Sequence, residues 1–314
     1  MTEESGPADD GRDPSLGAIM SERPQLINLA YRLIGSLTDA EDVVQEAYTR
    51  WYAMTPERQE TIVSPGAWLT TVASRICLDL RGSARARREK YVGEWIPEPL
   101  PGGTEWINRR SAGAATDAVD PADRVTLDES LNMAFLVVLE SMSPAERVAF
   151  ILHDVFRYSF AEVADIVGRS PAACRQLASS ARRHLRTSGA STAPATRRAQ
   201  LVGDFKRAWE AKDIEALIAI LDPSVTTIAD GGGHASALPD AVVGATQVAR
   251  MVVEIAHMMP DVTIQQRTVN GQPGLVMLRD GETVTVLAFH TDGDRITHIW
   301  AVRNPEKLRA WTTD

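Results

Sequence analysis

The sequence predicts a multidomain chain in which two all-α units, the second carrying a helix-turn-helix, are followed by an α+β unit. Three observations carry this. Apolar residues recur at helical spacing through 21–90. Three helix starts then follow in quick order, at Ser143-Pro144, Ser159-Phe160 and Ser170-Pro171. From about Ala199, amphipathic helices give way to β patterns punctuated by Asn270-Gly271, Asp280-Gly281 and Asp292-Gly293, dipeptides that tolerate the positive φ of hairpin turns.

Taken in order, residues 1–18 are rich in Gly, Pro, Asp and Glu and read as a disordered tail. The first helical unit spans 19–91. Leu26, Ile27, Ala30, Leu33 and Ile34 mark one helix. Thr38-Asp39-Ala40-Glu41 reads as a capping box opening a second. Ser64-Pro65 opens a third, with Trp68, Leu69, Val72, Ala73, Ile76, Cys77 and Leu80 as its core stripe. Residues 92–123 form a Pro/Gly/Ala-rich linker, long enough to be mobile or functional. The second helical unit covers 124–187, a polar linker 188–197, and the α+β unit 198–314. In that unit two helices precede a strand at Val225–Ile228. A helix at about 245–259 follows, and then an antiparallel run at 261–269, 274–279, 283–290 and 295–302.

A chain of 314 residues can bury two or three modest cores, and three compact pieces is the expectation. Cys77 and Cys174 lack CxxC spacing, which argues against a disulfide framework or zinc site and for a reducing compartment, the cytoplasm. Apolar runs are too short to span a bilayer, and the acidic start does not suit a signal peptide.

The net charge of -9 disfavours DNA, but its distribution does not. Residues 75–90 hold six bases against two acids, and 169–198 hold seven arginines and no acid. Two basic islands in an acidic chain imply phosphate contacts at two places, with a partner supplying further affinity. The helix-turn-helix at Ser159 to His184 runs into the second island, which holds its second helix. Val163, Ile166 and Val167 are its first core face, and Gly168 supplies the left-handed turn residue. In the helix beginning at Pro171, Cys174, Leu177, Ala181 and Leu185 face inward. Ala172, Arg175, Gln176, Ser179, Arg182 and Arg183 form the opposite, recognition face. A basic solvated helix on any small bundle would show the same amphipathicity, but not the glycine turn with an acid-free run.

The first island ends the helix from Pro65. Trp68, Arg75, Asp79, Arg81, Arg85 and Arg88 mix rings with cations, as opened DNA requires, although Trp68 also suits a core. Ahead of it, Asp39, Glu41, Asp42, Gln45 and Glu46 make an acidic helix face. Such a face is usually only solvated, but it can also dock on a basic protein partner.

Together these segments resemble the extracytoplasmic-function sigma factors of the sigma-70 family. Leu37 through Ala47 looks like their polymerase-binding helix, Trp68 through Arg88 like their -10 melting segment, and 143–185 like their -35-reading domain. The loop at about Thr55 to Ser64 corresponds to the one that captures a flipped base. Trp95-Ile96-Pro97-Glu98-Pro99, Asp230-Gly231-Gly232-Gly233 and Asn304-Pro305-Glu306-Lys307-Leu308 resemble motifs of the subgroup with a fused SnoaL-like, cone-shaped C-terminal domain, the sigma-J type. The resemblance implies core RNA polymerase and promoter DNA as partners and no cofactor. It also implies an α+β domain that regulates in cis, with the three short motifs, Lys307 and Leu308 included, meeting at an interdomain contact.

SnoaL-like cones hold a pocket, with room for a small ligand. Asp230, His234, His257, His290 and His298 are the acid/base candidates, but they form no paired constellation of the kind catalysis needs. Two other readings compete. One is a one-component regulator sensing a ligand, against which the acidic helix argues; the other is an enzyme fused to a DNA-binding arm.

Overall fold

The computed structural model describes residues 19–88, 91, 93–103, 129–187, 193–235 and 240–312. The expected tail over 1–18, the linker beyond Gly103 and the expected helix resumption at Arg124 lie outside the described residues.

Helix α1 (Arg23–Ile34) ends at Gly35, whose φ of 82° supplies the left-handed C-cap. Helix α2 (Leu37–Tyr52) starts earlier than the expected box at Thr38. Its N-cap is Ser36, whose hydroxyl accepts the Asp39 N–H. The extended backbone of Ser36 suits the capping role, and Thr38 falls inside the first turn. Between α2 and the long helix α4 (Pro65–Arg88) lies a short helix, α3 (Pro56–Glu60), in what the sequence suggested was loop.

The second helical unit comprises α5 (Met133–Glu140), α6 (Pro144–Phe150), a wide turn over Ile151–Val155, α7 (Phe160–Val167) and α8 (Pro171–Thr187). Ser143 with Glu146 and Ser159 with Glu162 form reciprocal capping boxes. Gly168 closes α7 at φ 70°.

The C-terminal unit begins with α9 (Ala195–Glu210), three residues before the expected boundary, and continues with α10 (Ile214–Ile220), β1 (Leu221–Asp230), β2 (Val242–Val243) and α11 (Ala245–Met258). The antiparallel meander β3 (Thr263–Val269), β4 (Gln272–Arg279), β5 (Glu282–Asp292) and β6 (Arg295–Val302) follows. Asn270 and Asp280 take φ of 50° and 54°, followed by glycines at 72° and 84°, as two-residue hairpin turns demand. The sheet order is β2-β1-β6-β5-β4-β3. The run β3 to β6 is antiparallel as expected, whereas β1, whose partner the sequence leaves open, pairs parallel with β6, because α11 and the whole meander intervene and return the chain in the same sense.

The two helical units share one apolar core: Tyr31, Leu33 and Leu69 pack in it with Leu136, Phe150 and Ile151. Polar groups cross the same boundary. Glu140 pairs with Arg147 at 2.5 Å and Arg81 at 3.4 Å, while Arg147 donates to the Arg32 carbonyl. Helix α5 is shared with the sheet: Phe135, Leu136 and Leu139 face the helical core, whereas Met133, Ala134 and Val137 pack with Val276, Val286 and Trp300. The two sheet faces have separate cores. Helices α9 and α11 cover one, and α5, the linker and the C-terminal segment cover the other.

Candidate nucleic-acid interface and interdomain clamp

On α8 the fully buried residues are Cys174, Ala178 and Ala181; Leu177 and Leu185 are half-buried. The stripe is therefore rotated slightly from the sequence expectation, which omitted Ala178. Ala172, Arg175, Gln176, Ser179 and Arg183 are exposed. Arg175 lies over the Phe160 ring at 5.1 Å, at the edge of the face. A surface hollow joins Gln176, Ser179 and Arg183 to Arg169 in the turn, a residue the sequence reading left out. Arg182 corrects the expected face. Four residues after buried Ala178, it lies on the flank, and its Nε donates to Asp154 Oδ1 at 2.7 Å. Asp154 is 2% exposed, and burial pushes its carboxyl above the ordinary range.

The first basic island is redistributed more strongly. Arg81 is 7% exposed, bonded to Glu140 and to the Leu33 carbonyl, and burial lowers its pKa to about 10. It belongs to the core between the helical units, not to a DNA face, because at this turn α4 runs between α1 and α5. Arg75 is exposed, but its Nη2 donates to the Asp165 carbonyl at 2.7 Å and its Nε to Ile166 at 3.4 Å. These carbonyls belong to the last turn of α7, where the helix dipole favours a cation. Asp79 is exposed. Trp68 is half-buried, edge-on to Trp51 at 5.3 Å between centroids. Arg85 and Arg88 lie in the last turns of α4, and their side chains are outside the described residues. On α2, Asp39, Glu41, Asp42, Gln45 and Glu46 are all exposed, opposite buried Ala40, Val43, Val44 and Ala47. Beyond α3, Val63 stands fully exposed.

The three short motifs meet. Residues 94–100 run between α1 and the sheet, with Ile96, Pro97, Glu98, Pro99 and Leu100 buried. Asp230, at the end of β1, is the focus. Its carboxylate accepts from Lys307 Nζ at 2.6 Å, the Ile96 N–H at 3.0 Å and the Tyr91 hydroxyl at 2.6 Å. Lys307 also donates to the Ile96 carbonyl at 2.5 Å and sits 4.1 Å from the Trp95 ring centroid. Asn304 donates to the Tyr91 hydroxyl at 2.8 Å. Trp311 Nε1 donates to the Pro99 carbonyl, and Leu308 is buried beneath. Pro305 is exposed and opens the last helical turn. Gly231 is buried, and Gly232, at φ 61°, leaves no room for a Cβ against the Asn304 amide.

The other side of the linker segment binds the first helical unit. Glu98 N–H donates to the Gly35 carbonyl, Tyr31 hydroxyl to the Glu98 carbonyl, and Leu37 N–H to the Glu98 carboxylate at 2.7 Å. Asn270 ties Leu100 to Tyr31 through both ends of its amide. Gly35 has a reason beyond its cap, since a Cβ there would meet the Trp95 ring at 2.8 Å.

The C-terminal unit holds a cavity of about 260 Å³ between α9, α11 and the sheet. None of Asp230, His234, His257, His290 and His298 lines it. His290 and His298 pair across β5 and β6 on the opposite face, where His298 stacks on Trp300. Among the described residues no group of three or more His, Cys, Asp or Glu is arranged to hold a metal. No described helix is long and apolar enough to cross a membrane.

Two helical units, one bearing a helix-turn-helix behind an acidic helix, define the sigma-70 class. Residues 18–88 match Sigma-70 region 2, and 132–185 match Sigma-70, region 4. The chain belongs to the extracytoplasmic-function (ECF) RNA polymerase sigma factors. It is 37% identical over 299 residues to the ECF RNA polymerase sigma factor SigJ of Mycobacterium tuberculosis, covering 91% of this chain and 90% of that one. It is 34% identical to the probable ECF RNA polymerase sigma factor SigI of the same species, over 94% of this chain and 95% of that one. The crystal structure of M. tuberculosis SigJ aligns with a TM-score of 0.71 at 33% identity, over 94% of this chain and 98% of that one. The protein is accordingly an RNA polymerase sigma factor, whose helical domains precede a sheet-containing α+β domain.

Proposed function

We propose that this sigma factor initiates transcription from promoters read by α8 and α4, and that its C-terminal domain restrains it in cis. Core RNA polymerase would dock on the acidic face of α2 in the cytoplasm. Ala172, Gln176 and Ser179 would read the -35 element, with Arg175 at the edge and Arg169 and Arg183 on phosphate. Trp68, Arg75, Asp79, Arg85 and Arg88 would meet the -10 region.

One observation carries the restraint: the Asp230–Lys307 pair holds both backbone groups of Ile96, in the linker between the two DNA-binding units. Elements whose positions differ by about 25 base pairs lie roughly 85 Å apart at 3.4 Å per step. Two units sharing one core, with Arg75 bonded to α7, cannot span that distance, so the compact arrangement must open at the promoter. The C-terminal domain acts as a regulator and not a catalyst, and its cavity takes a small ligand.

Run-off transcription with core polymerase and a cognate promoter tests this. Lys307→Met should raise transcript yield several-fold over the parent chain. An unchanged or lower yield would defeat the restraint, and absence of any polymerase binding would defeat the whole reading. A truncation is the poorer test, because it would expose Met133, Ala134 and Val137 of α5.

A further inference from the structure

The cavity and the clamp lie on opposite faces of the same two strands. On β1, Thr227 and Ala229 line the cavity, whereas Ile228 and Asp230 face the linker side. On β6, Ile299 and Ala301 line the cavity, with Arg303 just beyond, whereas Trp300, Val302 and Asn304 face the other way. The strands are in register at Ala229 with Ala301 and Asp230 with Val302. The main chain closes the connection: the Arg303 and Asn304 N–H groups both donate to the Asp230 carbonyl, at 2.7 and 3.0 Å. A force on the Arg303 side chain therefore reaches Asp230 and Asn304 through one peptide.

The cavity wall is apolar, with Phe205, Trp209, Met251 and Met277, and methionine adapts to varied ligand shapes. Two polar features interrupt it. The Thr227 hydroxyl is buried and has no hydrogen-bond partner among the described residues. Arg303 is half-buried at the wall, the cation that follows Ile299 and Ala301 along the cavity side of β6. A guanidinium fork matches a carboxylate in two parallel hydrogen bonds.

We propose that the cavity binds a small apolar carboxylate, its tail on the methionine-lined wall and its anionic end on Arg303 and Thr227, and that occupancy loosens the clamp on the linker. This rests on the reading that the C-terminal domain acts in cis. The bound carboxylate draws Arg303 toward the cavity and shifts the peptide that holds Asp230 and positions Asn304 against Tyr91.

The test uses the full chain with octanoate, 1-octanol and octylamine in calorimetric titrations, and hydrogen exchange of 94–100 with and without octanoate. Octanoate should bind at least about tenfold more tightly than octanol, and octylamine more weakly than either. Arg303→Gln should remove the preference while octanol still binds. Thr227→Val, nearly isosteric, should reduce it, and Met277→Trp should block octanoate and octanol alike. Octanoate should speed exchange of the Ile96 amide. Equal affinities for octanoate and octanol, or binding of neither, overturn the carboxylate assignment. Octanoate binding without a change at 94–100 overturns the coupling. The Lys307→Met transcription assay needs no ligand, so failure of the cis restraint is scored separately.

Discussion

Lys307 and Asp230 form a buried ion pair at 2.6 Å, with side chains 9% and 0% exposed, and each also grips the main chain of Ile96. Removing one member leaves the other charged and out of water, which costs about 3–5 kcal/mol, whereas replacing both with apolar groups is often near neutral. Lys307→Met or Asp230→Leu alone should therefore speed exchange of the 94–100 amides strongly. The double variant should be less destabilised than the sum of the singles. A strictly additive cycle, read by chemical denaturation, would show that the pair is not coupled.

Arg75 supports a prediction with two opposite signs. In the compact protein it caps the last turn of α7 through the Asp165 and Ile166 carbonyls. The side chain is exposed, so the contact is worth about 1 kcal/mol or less. Arg75→Ala should loosen the free protein, raising exchange in α7. It should also weaken the promoter complex of the holoenzyme, with the log K against log salt slope reduced by about 0.9 if one phosphate contact is lost. An unchanged slope would remove Arg75 from the DNA face.

The elements were legible because their signals are local. The serines at 143, 159 and 170 cap helices, Gly168 turns the chain, and Asn270-Gly271 and Asp280-Gly281 form hairpins, all where the residue types put them. The three short motifs were legible only by resemblance, since nothing in their spacing brings residues 95, 230 and 304 together. The arginines were less legible, because charge density does not report burial. Arg81 sits on α4 among exposed-looking neighbours, and only the approach of α5 with Glu140 makes it a core residue. Arg182 was lost to Asp154 for the same reason, the partner lying 28 positions back on another element. The parallel β1–β6 pair depends on where β1 enters the sheet, which no dipeptide encodes.

Glu98 gives the linker a pH dependence. Burial raises its pKa from 4.5 to about 7, against the lowering effects of the Leu37 N–H and the Lys307 charge. The docked state thus binds a proton that the undocked chain releases between these values. Docking is strongest below about pH 4.5 and weakens as pH rises to about 7, with little further change above. Exchange of the Glu98 and Leu100 amides, corrected for intrinsic rates, should rise across that window in the parent chain. In Glu98→Gln it should be flat. A parent profile as flat as that of the variant would rule out Glu98 as the titrating group.

The recognition helix separates fold from readout in two neighbouring arginines. Arg182 neutralises Asp154, whose second oxygen has no hydrogen-bond partner among the described residues. Arg182→Ala leaves that carboxylate buried and unpaired, and should cost about 2–3 kcal/mol of stability, seen as a lower Tm, with no change in the preferred -35 sequence. Arg183 is exposed and faces the same hollow as Gln176 and Ser179. Arg183→Ala should leave Tm unchanged and weaken all promoters similarly, while Gln176→Ala should cost about 1–3 kcal/mol on the preferred sequence only. Melting curves and binding to a panel of -35 variants separate the three. Equal Tm values for Arg182→Ala and Arg183→Ala would mean that the Asp154 pair contributes nothing to holding α8, and the recognition face would revert to including both arginines.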